Sequence, residues 1–236
     1  MDIKIIYEDA DLLVVDKPAG IIVFEEGKNP SASSGPFLIN ELIKRYPELK
    51  NTGEQPRYGI VHRLDKDTSG VLLVAKSNEA LIFLQKQFKN RGVEKKYVCL
   101  VEGVMENDSG TIETLIARAK GDPKKQKAYS PINAPKSARE AITEYKVLSR
   151  YKDYTLLEVK IKTGRRHQIR CHFSYLKHPI AGDKLYAFKN SPIPEGLTRQ
   201  FLHSTYLKIQ LPDGKIQEFN SDLPEELKKV LSELNL

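Results

Sequence analysis

The sequence predicts an α+β fold with a mixed, mostly antiparallel central sheet. Three observations predict it. Short apolar runs of strand composition recur along the chain between polar turns, helix-spaced segments are few and scattered among them, and no repeat, heptad or clean Gly-Ser linker divides the 236 residues. The economical reading is one domain over 1–236, long enough to bury a substantial core.

In chain order, Ile3–Tyr7 and Leu12–Val15 are apolar runs separated by Glu8-Asp9-Ala10-Asp11, the pattern of two strands and a turn. Asp16-Lys17-Pro18-Ala19-Gly20 breaks the second strand, and Lys28–Pro36 reads as a mobile surface loop because its composition offers no face to bury. Phe37, Leu38, Leu42 and Ile43 have helical spacing that stops at Tyr46-Pro47. Val71–Ala75 is a buried strand. Ser77 then caps a helix carrying Leu81, Leu84 and Phe88, which Gly92 ends. Lys95–Val101 has strand composition. Gly121–Ser137, with Lys124, Lys125 and Lys127 and three prolines, is too polar and broken for an element. Leu157, Val159 and Ile161 alternate with charged residues and form a strand with one buried face. The segment from Thr163 to Leu176 is read as a helix placing Arg166 and Arg170 one turn apart on one side. Phe201–Leu211 is a final strand and Pro224–Leu234 a terminal helix.

Composition excludes several classes of function. Hydrophobic residues at 40% and charged residues at 29% describe an ordered globular chain rather than a disordered one. The 38 Lys and Arg exceed the 31 Asp and Glu for a net charge of +7, which suits a polyanionic partner. No run has the length of a membrane span, and Met1–Asp11 carries four acids where a signal peptide needs an apolar core, so a cytoplasmic protein is expected. Cys99 and Cys171 form no Cys-x-x-Cys pair, and the five histidines never take metalloprotease spacing, so no metal is expected. Phosphate-binding glycine loops of the nucleotide-triphosphate and dinucleotide types are absent.

What remains is carboxylate chemistry beside fixed cations. His62-Arg63-Leu64-Asp65-Lys66-Asp67-Thr68-Ser69-Gly70 packs two acids, two cations, an imidazole and two hydroxyls in front of a buried strand. An Asp beside Arg stays ionised at neutral pH and is available as nucleophile or base. The residues alone leave Asp65 and Asp67 equivalent.

Together with Thr163-Gly164-Arg165-Arg166-His167-Gln168-Ile169-Arg170, this stretch resembles the pseudouridine synthases of the RluA type. Asp16–Gly20, the Lys96-Tyr97 strand ending at Gly103, His178-Pro179-Ile180-Ala181-Gly182-Asp183 and Phe201-Leu202-His203-Ser204 extend the likeness in order over nearly the whole chain.

The resemblance implies the pseudouridine synthase fold around a basic catalytic cleft, and an enzyme that isomerises uridine in ribosomal or transfer RNA without metal or cofactor. It chooses Asp65 as the nucleophile, and attack at the sugar C1′ or the base C6 stays open. Arg63 helps displace the target nucleotide and holds the backbone. Tyr97 stacks on the uracil, and its role as the base that takes the C5 proton stays open, although a phenol with an ordinary pKa of about 10 is a poor base at neutral pH. Arg170 pairs with Asp65, and Ile169 lines the base pocket. His62, Arg165, His167 and Gln168 are assigned to substrate binding, although the chemistry needs no imidazole and His62, His167 and His203 also suit structural roles. Arg166 departs from the family, which usually has a small hydroxyl residue there, and Phe24-Glu25-Glu26 adds acid near the entrance. With about sixty residues before Asp65 in family-like segments, no separate N-terminal RNA-binding domain is expected, and RNA grip falls to the catalytic domain, with Lys124, Lys125 and Lys127 as candidates. A monomeric or weakly associated enzyme follows. A non-catalytic RNA binder is disfavoured by the intact Asp65, Tyr97 and Arg170. A glycosidase is disfavoured by the basic charge and by its need for paired carboxyl groups.

Overall fold

Val71–Ala75 is so apolar that no face of it could meet water, and in the computed structural model every residue of its strand, Ser69–Ala75, is buried. The structure describes residues 3–25, 36–211 and 213–234. The predicted loop at Lys28–Pro36 and the acid at Glu26 lie, except for Pro36, outside the described residues. The chain forms two compact units: one runs up to Glu94 and takes in Ser204–Asp222, and the other comprises Lys95–His203 and the chain from Leu223 onward.

In the first unit, strand β1 (Lys4–Glu8) and β2 (Leu12–Lys17) form an antiparallel hairpin. Asp9 makes the turn, its Oδ1 accepting from the backbone N–H of Asp11 at 2.8 Å and of Leu12 at 2.7 Å. After helix α1 (Leu38–Arg45), β3 (Ser69–Ala75) pairs antiparallel with β2, setting Leu12 opposite Ala75 and Lys17 opposite Gly70. Helix α2 (Asn78–Lys89) begins where Ser77 Oγ accepts from Ala80 N at 3.1 Å. The core of this unit packs Leu12, Val14, Leu73 and Leu84 against Leu207 and Phe219.

The second unit holds the antiparallel strands β4 (Glu94–Glu102, with Glu94 in the first unit), β5 (Ser109–Arg118), β6 (Gln126–Tyr129), β7 (Arg139–Arg150) and β8 (Tyr154–Ile161), in the order β4-β8-β7-β5-β6. Helix α3 (Gln168–Tyr175) buries Cys171 with Ile116, Ala128 and Ala141 and sets Phe173 edge-on to Tyr145 at 5.9 Å. Strand β9 (Leu202–Gln210) carries the chain back to the first unit, where it lies beside β3 and forms a hairpin with β10 (Ile216–Asn220). Helix α4 (Glu225–Leu234) ends the described chain.

Two local expectations are corrected. Gly121–Ser137 does contain an element: β6 pairs at the sheet edge with β5, and an edge strand needs only one buried residue, here Ala128, to hold its place. Residues 163–167 are not helical. Helix α3 starts only at Gln168, after His167 at φ +55°, so Arg166 and Arg170 do not share a helix face. The sequence reading assigns nothing to β5, β7 and β10; β5 gains its partner β7 only across a long stretch of chain.

Candidate active site

In the first unit, Asp65 sits half-buried on a turn closed by Thr68 N donating to Asp65 O at 3.1 Å. Buried Lys17 anchors that turn. Its ammonium donates to the carbonyls of Pro18 at 2.8 Å, Ile21 at 2.9 Å and Lys66 at 3.0 Å, and Gly20 N donates to the same Lys66 carbonyl at 2.9 Å. Two sequence-distant segments, Lys17–Ile21 and Asp65–Thr68, are thus tied through one carbonyl, and the Asp65 backbone is held from below. Leu64 and Thr68 are buried on either side of the turn.

His62 is committed to the scaffold. Its Nε2 accepts from Leu73 N at 3.0 Å, and its ring stacks on Phe88 at 5.0 Å. Arg63 lies over the ring of Phe24 at 5.9 Å, and Arg57 over the same ring at 4.6 Å, so a buried phenyl collects two guanidinium groups beside the motif.

In the second unit, Arg170 and Ile169 lie in the first turn of α3, with both side chains buried. Arg170 donates from Nε to Asp183 Oδ2 at 2.7 Å and from Nη2 to Asp183 Oδ1 at 2.8 Å. Its guanidinium also lies over the Tyr186 ring at 5.1 Å. Asp183 Oδ1 further accepts from the backbone N–H of Leu185 at 2.9 Å and Tyr186 at 3.1 Å. His167 Nδ1 is hydrogen-bonded to Tyr186 OH at 3.0 Å.

Gln168 accounts for the shape of the loop before α3. Its Oε1 accepts from Thr163 Oγ1 at 2.8 Å and Arg165 N at 2.9 Å, and its Nε2 donates to Ile142 O and Thr143 Oγ1, both at 3.0 Å. An amide side chain has four such positions, and all are filled. Arg165 is held at Nε by Glu140 O at 2.8 Å. Behind Gln168, Thr143 Oγ1 bonds His172 Nδ1 at 2.8 Å, and His172 Nε2 bonds Thr114 Oγ1 at 2.9 Å. Thr143 Oγ1 also accepts from Gln168, which ties the imidazole into the same network. Burial pushes the His172 pKa down to about 4, so the ring is neutral at neutral pH.

Tyr97 lies buried on β4, opposite Val159 and on the same strand face as Cys99. Two residues before it, burial pushes the Lys95 ammonium down to about 8.

A model of the RNA pseudouridylate synthase family matches residues 11–175. The chain belongs to the RNA pseudouridine synthases of the RluA type. It is 43% identical over 238 residues to a protein of Aquifex aeolicus described as an uncharacterized RNA pseudouridine synthase, covering 98% of this chain and 72% of that protein. It is 37% identical over 246 residues to the ribosomal large subunit pseudouridine synthase D of Xanthomonas campestris, covering 98% and 69%. The solved structure of human RNA pseudouridylate synthase domain containing 1 matches with a TM-score of 0.76 at 26% identity, covering 94% of this chain and 84% of that one. The pseudouridine synthase fold is the one observed, and the chain is an isomerase acting on uridine in RNA.

The structure of this pseudouridine synthase groups the motif residues by unit: His62, Arg63 and Asp65 in the first, Tyr97, Arg165, His167, Gln168, Ile169 and Arg170 in the second. The residues that hold them escaped sequence reasoning as individuals. In the sequence Asp183 and Lys17 stand out only as parts of motifs. Tyr186, Thr143 and His172 carry no signal beyond being polar groups in apolar surroundings.

Proposed function

We propose that this pseudouridine synthase acts on particular uridines of structured RNA, with Asp65 as nucleophile and the target nucleotide turned out of its stack. The observation that carries the reading is the pinned Asp65 turn: a half-buried carboxylate on a backbone that Lys17 and Gly20 hold through Lys66 O. A nucleophile held in place need not be ordered at the moment of reaction.

Isomerisation breaks the N1–C1′ bond of uridine and forms a C5–C1′ bond, while C5 loses a proton and N1 gains one. Nothing is oxidised or reduced, so the step calls for no redox partner. In this reading Arg170 supplies the cation that keeps the nucleophile charged, Tyr97 offers a ring for the uracil, Ile169 lines the base pocket, and Arg63 engages the backbone of the displaced strand. Arg165 and His167 are the polar contacts to RNA beside α3. The chain works as one catalytic domain, monomeric or weakly associated, in the cytoplasm. The name of the Xanthomonas relative favours large-subunit ribosomal RNA over transfer RNA as substrate.

Unmodified transcripts of ribosomal and transfer RNA are incubated with the protein and their pseudouridines mapped. Asp65→Ala is expected to form no product while binding RNA as the parent does. Product formation by Asp65→Ala would require another nucleophile, and a parent enzyme active on neither RNA would remove the substrate assignment.

A further inference from the structure

In the second unit, Ala119, Lys120, Lys127, Tyr129, Asn133 and Pro135 line an open cavity of about 390 Å³. Its volume lies within the range of about 300–1,000 Å³ typical of sites for small organic groups. Strand β6 builds one wall. Ala128 is buried in the core, and side chains alternate along a strand, so Lys127 and Tyr129 share the opposite face. The Lys127 ammonium stands 5.3 Å from the Tyr129 ring centroid.

None of the lining residues is acidic. The nearby Asp122 is spent on its own turn, its Oδ1 accepting from Lys124 N at 2.9 Å and its carbonyl from Lys125 N at 3.1 Å. The cavity therefore presents two ammonium groups, a phenol ring and a side-chain amide. That set matches a nucleotide: cations for phosphate, a ring face for a base, and an amide for a base edge. An acidic peptide would use the lysines and leave the ring and amide idle.

The cavity is also joined to the segment that carries Arg170. Gln126 N, at the start of β6, donates to Tyr186 OH at 2.7 Å, and Tyr186 OH is bonded to His167 Nδ1 at 3.0 Å. One hydroxyl thus links the strand bearing Lys127 and Tyr129 to the residue that opens α3.

We propose that this cavity is a second RNA subsite, holding a nucleotide other than the isomerised uridine, with its base on Tyr129 and its phosphate at Lys120 and Lys127. The proposal rests on the reading that RNA is the substrate.

The test measures binding of an unmodified large-subunit ribosomal RNA transcript over a range of salt, with pseudouridine formation recorded on the same preparations. Tyr129→Ala is expected to weaken binding by about 5- to 150-fold, the loss of one stacked base, whereas Tyr129→Phe keeps the ring and binds like the parent. Lys120→Ala and Lys127→Ala should each flatten the slope of log affinity against log salt by about 0.7–0.9. Lys127 is exposed, so its variant keeps the test decisive even where Tyr129→Ala does not fold. Parent-like binding and salt slope in Lys127→Ala and Tyr129→Ala, with product still formed, would overturn the subsite and leave the enzyme reading standing. Equal losses in Tyr129→Phe and Tyr129→Ala would overturn stacking. An oligoglutamate peptide that displaces the transcript and itself loses affinity in Lys127→Ala would overturn it in favour of an acidic protein partner. Loss of binding in Tyr129→Ala by a protein whose parent makes no pseudouridine would uphold the subsite and remove the substrate assignment.

Discussion

Arg170 and Asp183 meet fork to fork in the interior of the second unit, Nε to Oδ2 at 2.7 Å and Nη2 to Oδ1 at 2.8 Å, with side-chain exposures of 9% and 0%. Two parallel bonds fix the plane of a guanidinium as a single contact cannot. The cation that the RluA-type resemblance assigns to the reaction is therefore oriented by a carboxylate thirteen residues downstream.

Removing that carboxylate should be costly. Asp183→Ala takes from a buried guanidinium its bidentate carboxylate and from two backbone N–H groups their acceptor, so a stability loss of about 3–5 kcal/mol is expected. Arg170→Lys keeps the charge but not the fork and should fall between the parent and Asp183→Ala. Urea unfolding at unchanged m-value reads both; a midpoint for Asp183→Ala equal to the parent's would contradict the pairing.

His172 makes stability depend on pH. Its folded pKa is lowered to about 4 from an ordinary 6.5, so between those values the unfolded chain binds a proton that the folded chain refuses. Stability is whole above pH 6.5, falls as pH drops toward 4, and loses roughly 3 kcal/mol from this group over that window. His172→Gln should remove that part of the acid slope. Unfolding free energies measured between pH 7 and 4 check it, and an identical slope in the variant would mean that His172 titrates normally.

Lys17→Met should loosen the Asp65 turn. Three carbonyls lose their shared donor, each at about 1–3 kcal/mol when buried. Hydrogen exchange should quicken at the amides of Gly20 and Thr68, whose acceptors are Lys66 O and Asp65 O. Pseudouridine formation should fall more than RNA affinity. Unchanged protection at both amides would show that the turn stands without the lysine.

Two glycines of the quoted motifs should behave oppositely. Gly70 has φ +113°, and a Cβ there would lie 2.1 Å from the backbone oxygen of Ser204, which no side-chain rotation can move. Gly70→Ala should therefore push β3 from β9 and cost more than ~4 kcal/mol. A Cβ on Gly164 meets nothing within 4 Å, and Gly164→Ala should unfold close to the parent. Thermal unfolding of the pair, with circular dichroism as the check on folding, tests the contrast.

The elements legible in the chain were those whose cause is local. Ser77 caps α2, alternation marks β8, and the apolar run marks β3. Strand β6 was illegible because its polar sequence becomes a strand only where β5 offers an edge, and the start of α3 because the turn at His167 depends on Gln168 reaching Ile142 and Thr143 on β7. The same division holds at the site. Asp65, Tyr97 and Arg170 were legible through motifs, whereas Lys17, Thr143, His172 and Asp183 became meaningful only through what they touch.

The sequence by itself determined the chemistry available: two carboxylates, a phenol and a guanidinium set in motifs that resemble the family's, and a net positive charge. Tertiary structure decided which of these groups are held and by what, because a hydrogen bond from Lys17 to Lys66 or from Arg170 to Asp183 depends on distances that folding sets between residues far apart in the chain. Identity and order are written along a line; orientation, burial and the pKa that follows from burial exist only once the line has closed on itself.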